Sequence, residues 1–385
     1  MKKKDAFGDS RIRVPFFVPE ITKEDKMAVN NTLDTLLLTD GPILKKFEKR
    51  FARFTGAKYA IGVSNATAAL HLSLKALGIG RGDEVIVPDM TFVATASAIL
   101  MTEAVPVLAD VDETDMNISV ASIQKNLTKN TKAILPVHFA GKSCKIDKIM
   151  NMAKKNRLKV IEDCAHAIGT KYKKKHVGTF GDAGCFSFYP TKNLTTIEGG
   201  MIITNSKKIA DYVVKTRNHG IDKSLGQRFA KGKPWDYDVH ESGYNYRLDE
   251  VRSSLGISQL KRICKMNLQR KKAAEYYTKK LENIPGITTP RVSKGDEHVF
   301  HLYIVKISNK YKMSRDMLFE KLLNNGIRTS VHYKPLHKFT VFQRMAKKYS
   351  TLLNSEKMYE RILSLPMYSS ISRSEQDVVI KNILA

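Results

Sequence analysis

The segment "KYAIGVSNATAALHLSLKALGIGRGDEVIVPD" (residues 58–89) sets one short apolar run, KYAIGVS (58–64), before a helical pattern and a second, EVIVPD (84–89), after it. In TAALHLSLKAL the leucines at 70, 74 and 77 fall on one helical face, and Ser64-Asn65 precede it as a capping signal. The reading is strand, helix, strand. The rhythm continues outward through VPVLADV (105–111), AILPVHFA (133–140), LKVIED (158–163), CFSFY (185–189) and GMIITN (200–205). Helix-length stretches separate most of these runs, which implies a three-layer α/β/α fold with a mainly parallel sheet. Only ten residues separate CFSFY from GMIITN, short for a parallel crossover, so that pair is antiparallel or joined by a functional loop. GIGRGDE (78–84) follows a helix rather than a strand and is therefore a turn, not a dinucleotide loop.

Past residue 250 the texture changes. RLDEVRSSLGISQLKRICKMNLQRKKAAEYYTKKLENI (247–284) reads as long, charged helix ending at Pro285-Gly286, followed by a strand-like HVFHLYIVKI (298–307) and more helix. A large α/β domain over residues 1–250, with an N-terminal segment, is expected to lead through a bridging helix into a smaller α+β domain over 251–385. A chain of 385 residues with 42% hydrophobic content has room for two such lobes.

Cys144, Cys164, Cys185 and Cys264 lie far apart without metal-ligand spacing, so neither a disulfide framework nor a metal site is expected. The basic opening MKKKDAFGDSRIRVPFF lacks a continuous apolar segment behind it, and no run approaches a membrane span. A cytoplasmic protein without a membrane partner is the expectation. The formal charge is +27, from 65 basic against 38 acidic residues. Apart from KYKKKH (171–176) and the N-terminal KKK the lysines are scattered, which describes a solvated basic surface rather than a nucleic-acid site. Some of that charge can steer an anionic substrate.

In open α/β sheets ligands bind beyond the carboxyl ends of the strands. Three such ends carry suggestive chemistry. GVSNATAAL places small and hydroxyl residues at a helix start, where free N–H groups hold a phosphate or simply receive an N-cap. VIEDCAHA offers Asp163 and His166, a ligand-facing pair or a helix cap and a core histidine. From Ala183 to Ile197 the only charged side chain is Lys192. Burial favours its neutral amine, as an imine-forming lysine requires; the other reading is a surface loop. A phosphate site, a carboxylate for a protonated ring nitrogen and an imine-forming lysine are together the parts pyridoxal phosphate needs.

Six motifs in order then identify the chain as resembling a known family: SNATAALHLSLKALGIGRGDEVIVPDMTFVATASAI, IEDCAHAIG, FSFYPTKNLTTIEGG, GYNYRLDEVRSSLGISQLKRI, VHYKPLH and SLPMY. The chain resembles the DegT/DnrJ/EryC1/StrS family of pyridoxal phosphate-dependent sugar aminotransferases, of the fold type I (aspartate aminotransferase-like) architecture, from about Val14 onward. The resemblance implies that Lys192 forms the internal aldimine and then moves the proton, that Asp163 keeps the pyridine nitrogen protonated, and that His166 contacts the ring hydroxyl. It further implies that Phe92 stacks on the ring and that Ala66, Thr67 and Ser187 bind the phosphate. Asn245 of a neighbouring subunit would complete that phosphate site, making the enzyme a homodimer with shared sites; otherwise Asn245 is a turn residue.

For the substrate the resemblance implies a nucleotide-linked keto sugar as acceptor and glutamate as donor. Tyr189, Arg217, His219, Arg247, His332 and Tyr333 are the candidate sugar or diphosphate contacts. Arg247 also fits a helix surface, and His332 or Tyr333 a domain junction. Retention of Lys192 favours transamination over the deoxygenation run by relatives that lack it. The favoured acceptor is a 4-keto-6-deoxyhexose giving a perosamine-type product; a 3-keto sugar, a cyclitol, or a catalytically silent regulatory relative are the alternatives.

Overall fold

The computed structural model describes residues 8–223, 225–230, 233–292 and 297–385. Its first strands are β1 (Tyr59–Val63), β2 (Glu84–Pro88), β3 (Val105–Ala109), β4 (Thr131–Ile134) and β5 (Lys159–Asp163). A small hairpin of β6 (Lys171–Tyr172) and β7 (Lys175–His176) precedes β8 (Ala183–Ser187) and β9 (Gly200–Thr204). Seven of these form one sheet in the order β1-β9-β8-β5-β4-β2-β3. β9 runs antiparallel to both its neighbours, so the other six strands point the same way.

Alternate residues of each strand enter different cores. Val85 and Val87 pack with Leu70, Leu74, Ile99 and Val213, whereas Ile86 between them packs with Val107, Ile134, Ile149 and Val160. Both sheet faces are thus covered, as the apolar strand sequences require. The β8–β9 pair is antiparallel, and its short connection carries Lys192.

Three expectations change in the structure. The helix Ala66–Ala76 is buried from Ala68 through Leu74 rather than along one stripe, because it lies between the sheet and the helices Val93–Leu100 and Lys207–Thr216. Burying Leu70, Leu72 and Leu74 contributes roughly 1.5–3 kcal/mol each. Residues 247–284 form two helices, Glu250–Leu260 and Ile263–Leu281, parted at Lys261-Arg262. The strand expected over 298–307 begins only at Tyr303; the preceding residues turn inward with His298 and His301 buried.

A second sheet orders β10 (Ile287–Thr288), β11 (Tyr303–Ile307) and β12 (Ile362–Leu365), all antiparallel. Tyr277, Tyr303, Val305, Leu318, Leu363 and Val379 fill the core beneath it, joined by Val14. The N-terminal segment is fastened there: Arg13 and Val14 donate backbone N–H to the Gly326 carbonyl, and Met367 N–H donates to the Phe16 carbonyl. Among the described residues no helix is long and apolar enough to cross a membrane.

Candidate active site

The six co-directional strands deliver their carboxyl ends to one edge of the sheet. β1 hands over to Asn65, whose side chain caps the next helix by accepting from Ala68 N–H at 2.8 Å. The first-turn N–H groups of Ala66 and Thr67 then lie outside the intrahelical ladder, at the positive end of the helix dipole. β9 starts beneath this helix end at Gly200. A Cβ there would lie 2.5 Å from the Asn65 carbonyl and 2.9 Å from Ala66 N, so only glycine allows the approach. Gly200 pairs with Ser187 across β8–β9, which sets Ser187 beside the same helix end. Gly200→Ala is expected to cost about 1–3 kcal/mol by overpacking, read by urea denaturation; unaltered stability would rule out the tight contact.

β5 ends at Asp163, which is 5% exposed. Its Oδ1 accepts from Ala165 N–H at 3.0 Å and its Oδ2 from the Thr95 hydroxyl at 3.0 Å. Thr95 has only one hydroxyl proton, so the Thr91 hydroxyl, 2.9 Å away, donates to it in turn. Burial raises the Asp163 pKa, against the lowering by Ala165, Thr95 and the Lys192 charge. Phe92 caps the helix that carries Thr95; its ring is 55% exposed and stands 5.9 Å from Tyr333.

Lys192 follows β8 in a turn closed by its own N–H donating to the Tyr189 carbonyl at 2.9 Å. Enclosure lowers its pKa to about 8, with the Asp163 charge opposing the fall. Lys192 in turn depresses three imidazoles already held down by burial: His166 and His301, both well below the ordinary range, and His332, to about 3. These electrostatic couplings place Lys192, Asp163, His166, His301 and His332 in one group. Tyr333 joins them through its hydroxyl, 3.1 Å from His166 Nε2, and burial raises its pKa. His332 is held by the Ser364 hydroxyl at 2.8 Å and by stacking on Phe16 from the N-terminal segment. Tyr189 is 48% exposed at the start of the Lys192 turn.

The other expected contacts stand elsewhere. Arg217 is a correction: its guanidinium bonds Glu48 at 2.5 Å and the Gly62 carbonyl at 2.6 Å and is almost fully buried. It braces the edge strand β1 rather than facing a ligand. Arg247 donates to Asn218 at 2.6 Å, exposed His219 is held through its backbone N–H to the Tyr244 carbonyl, and exposed Asn245 bridges Asn218. Among the described residues none of the four hydrogen-bonds to the Lys192 group. Sequence reading missed Thr95, which lies inside the first of the six motifs without a role of its own there, and His301, which lies in none of them.

Beside Asp163, Glu162 is fully buried. Its oxygens accept from Gly178 N–H at 2.7 Å, from Phe180 and Gly181 N–H at 2.8 Å, and from His138 Nε2 at 2.9 Å. His138 Nδ1 accepts from Cys144 N–H, so Nε2 carries the proton. Cys164 Sγ also lies within 4.8 Å of these groups, but hydrogen bonding already occupies both His138 nitrogens and both carboxylate oxygens. Burial pushes the Glu162 pKa up, and the His138 and backbone donors more than offset it, leaving the group below its ordinary range. A depressed folded pKa contributes stability at neutral pH that is lost as pH falls through it. Glu162→Gln, which turns an amide N–H toward two of these four donors, is expected to lose about 3 kcal/mol and to flatten the acid side of a stability-pH profile. A wild-type urea midpoint would contradict this.

The family model for the DegT/DnrJ/EryC1/StrS aminotransferase family matches residues 19–384. The chain belongs to that family. It is an enzyme of the aminotransferase class, with a fold that matches that class's solved members. It is 40% identical over 373 residues to the spore coat polysaccharide biosynthesis protein SpsC of Bacillus subtilis, covering 96% of each chain. Helicobacter pylori PseC, an aminotransferase involved in pseudoaminic acid biosynthesis, superposes with a TM-score of 0.89 at 31% identity, over 96% of this chain and 98% of that one. Spr1654 of Streptococcus pneumoniae, solved in a PMP-form and a PLP-form, is 28% identical, with TM-scores of 0.90 and 0.89. The PMP-form comparison covers 96% of this chain and 98% of the other.

Proposed function

We propose that this chain transfers an amino group from glutamate to a keto sugar carried on a nucleoside diphosphate, using pyridoxal phosphate in two half-reactions. The observation that carries the reading is the convergence of a lysine with a pKa near 8, a buried carboxylate and the free first-turn N–H groups of a helix on one sheet edge. The donor set fits the cofactor. Ala66 and Thr67 N–H with the Ser187 hydroxyl suit a phosphate, and the glycine cradle at 200 gives it room against the helix end. Asp163, buried and hydrogen-bonded only to the neutral Ala165 N–H and Thr95 hydroxyl, suits a protonated ring nitrogen. Phe92 offers an exposed aromatic face.

When bound there, pyridoxal phosphate supplies an electron sink and a carrier for the amino group. The chain's own residues supply the rest. Lys192, neutral in a large fraction of molecules near its pKa, is both the amine that anchors the cofactor and the base that moves a proton between carbons. His166 and Tyr333 form the hydrogen-bonding wall beside it, and His332 and Tyr189 bound the side from which a sugar enters.

A second copy of the chain is proposed to bring its Asn245 to the phosphate. Exposed Leu33, Leu36, Leu37, Leu38 and Ile197 support a self-association surface. A cytoplasmic location and a nucleotide-linked sugar agree with the relatives' roles in polysaccharide and pseudoaminic acid biosynthesis. The favoured acceptor is a 4-keto-6-deoxyhexose yielding a perosamine-type 4-amino sugar. The test is to incubate cofactor-loaded protein with glutamate and separate nucleotide-linked 3-keto and 4-keto sugars, then locate the amine by NMR. Amination at C3 alone would move the assignment to the other regiochemistry. Spectral conversion by glutamate without any product would mark a silent relative.

A further inference from the structure

Asn193, the residue after Lys192, has its amide orientation fixed by a directional chain. Asn267 Nδ2 donates to the Ile168 carbonyl at 2.9 Å, so Asn267 Oδ1 receives Asn193 Nδ2 at 2.8 Å, and the same Nδ2 reaches the Val299 carbonyl at 3.1 Å. Asn193 Oδ1 is therefore an acceptor. His301 Nδ1, 3.3 Å from it, must carry the imidazole proton.

The other side of His301 meets His166, with ring centroids 4.4 Å apart and planes inclined at 37°. On His166, Nδ1 accepts from Ala140 N–H at 3.3 Å, so Nε2–H points to the Tyr333 oxygen and leaves the Tyr333 proton free to donate elsewhere. Two rings in contact keep these fixed tautomers only while both are neutral, and burial holds both there. His301 is itself anchored from the bridging helix, where Arg270 Nη1 donates to the His301 and Phe300 carbonyls at 3.3 Å. The Phe139–Gly141 turn closes the opposite side, with Val299 N–H donating to the Gly141 carbonyl.

We infer that His301 is a positioning residue for the transamination: its Nδ1–H fixes Asn193, and so the backbone bearing Lys192, while its ring face holds His166 as an N–H donor to Tyr333. The inference rests on the pyridoxal phosphate reading of the cleft. It makes a residue from the second sheet's entry loop part of what sets the properties of the lysine on the first. The charged and titratable groups facing His301 are His166, Lys192, Arg270 and His332, and Asp163 faces Lys192.

The experiment is a pH titration of the visible absorbance of protein reconstituted with pyridoxal phosphate, with thermal melts in parallel. His301→Phe keeps a flat ring but removes the donor, and is expected to move the titration midpoint by about one pH unit. His301→Asn carries an amide N–H at the place of Nδ1 but no ring face, and is expected to bring the midpoint part of the way back toward the wild-type value. His301→Gln extends its N–H toward the Nε2 position and is expected to behave like His301→Phe. Equal midpoints in all three variants and wild type, whatever the melts, would reduce His301 to packing. Indistinguishable Asn and Gln variants would do the same, and that comparison decides the matter if His301→Phe does not fold. A wild-type protein that gains no absorbance with pyridoxal phosphate would instead overturn the cofactor reading beneath the inference.

Discussion

Lys192→Ala, purified and mixed with pyridoxal phosphate, is expected to stay without the absorbance of a covalently anchored cofactor and to lose ~10⁴-fold or more in turnover, since nucleophile and proton carrier vanish together. Burial lowers the Lys192 pKa to about 8. The wild-type rate of cofactor attachment should therefore rise with pH up to about 8 and level off above it, where the amine is neutral. The same shift sets the sign of a stability effect. Between the folded pKa near 8 and the higher unfolded one, the unfolded chain binds more protons, so stability climbs with pH there and is reduced below. Lys192→Ala should accordingly melt no lower than wild type at neutral pH in the absence of cofactor. Stopped-flow absorbance and thermal melts read both effects; an attachment rate indifferent to pH around 8 would contradict the buried-amine account.

The architecture was legible where local pattern and burial agree. Short apolar runs such as EVIVPD became strands covered on both faces, and the ten-residue gap before GMIITN correctly allowed an antiparallel return. The pattern failed where burial came from contacts distant in sequence. No periodicity in TAALHLSLKAL reveals that helices at 93–100 and 207–216 close over it, so one apolar stripe was expected where nearly the whole circumference is buried. HVFHLYIVKI has strand composition throughout, yet His298 and His301 are drawn into the junction by partners at 139–141, 193 and 270.

For the candidate site, the visible signals were chemical anomalies. A single charged residue between Ala183 and Ile197, and a carboxylate closing an apolar strand, stand out in one dimension. Thr95 and His301 do not, because a threonine in a helix and a histidine in an apolar run are ordinary until their partners are known. Arg217 shows the converse. An arginine in RNHG invites an anionic ligand, but Glu48, 169 residues away, already neutralises it. Sequence proximity to a motif does not report which counter-charge folding will provide.

Asp163→Asn is expected to lower turnover about 10³-fold, in the range for losing one preorganised electrostatic partner of the reacting group. The amide keeps the size of the carboxylate: its oxygen can still accept from Ala165 N–H, and its NH2 can donate to the Thr95 hydroxyl, which reverses its role. What it loses is the negative charge needed to hold a ring nitrogen protonated. Burial raises the Asp163 pKa, so in the protein without cofactor the folded state binds this proton more tightly than the unfolded chain does. A raised folded pKa contributes stability below the unfolded value that is lost as pH rises through the folded one. The variant, neutral at every pH, should therefore be at least as stable as wild type at pH 7. It should also withdraw the Asp163 charge that now supports the Lys192 ammonium, moving that lysine below about 8 and shifting the attachment profile to lower pH. Near-normal turnover would exclude Asp163 as the ring-nitrogen partner, and an unmoved attachment profile would show that the two side chains act separately.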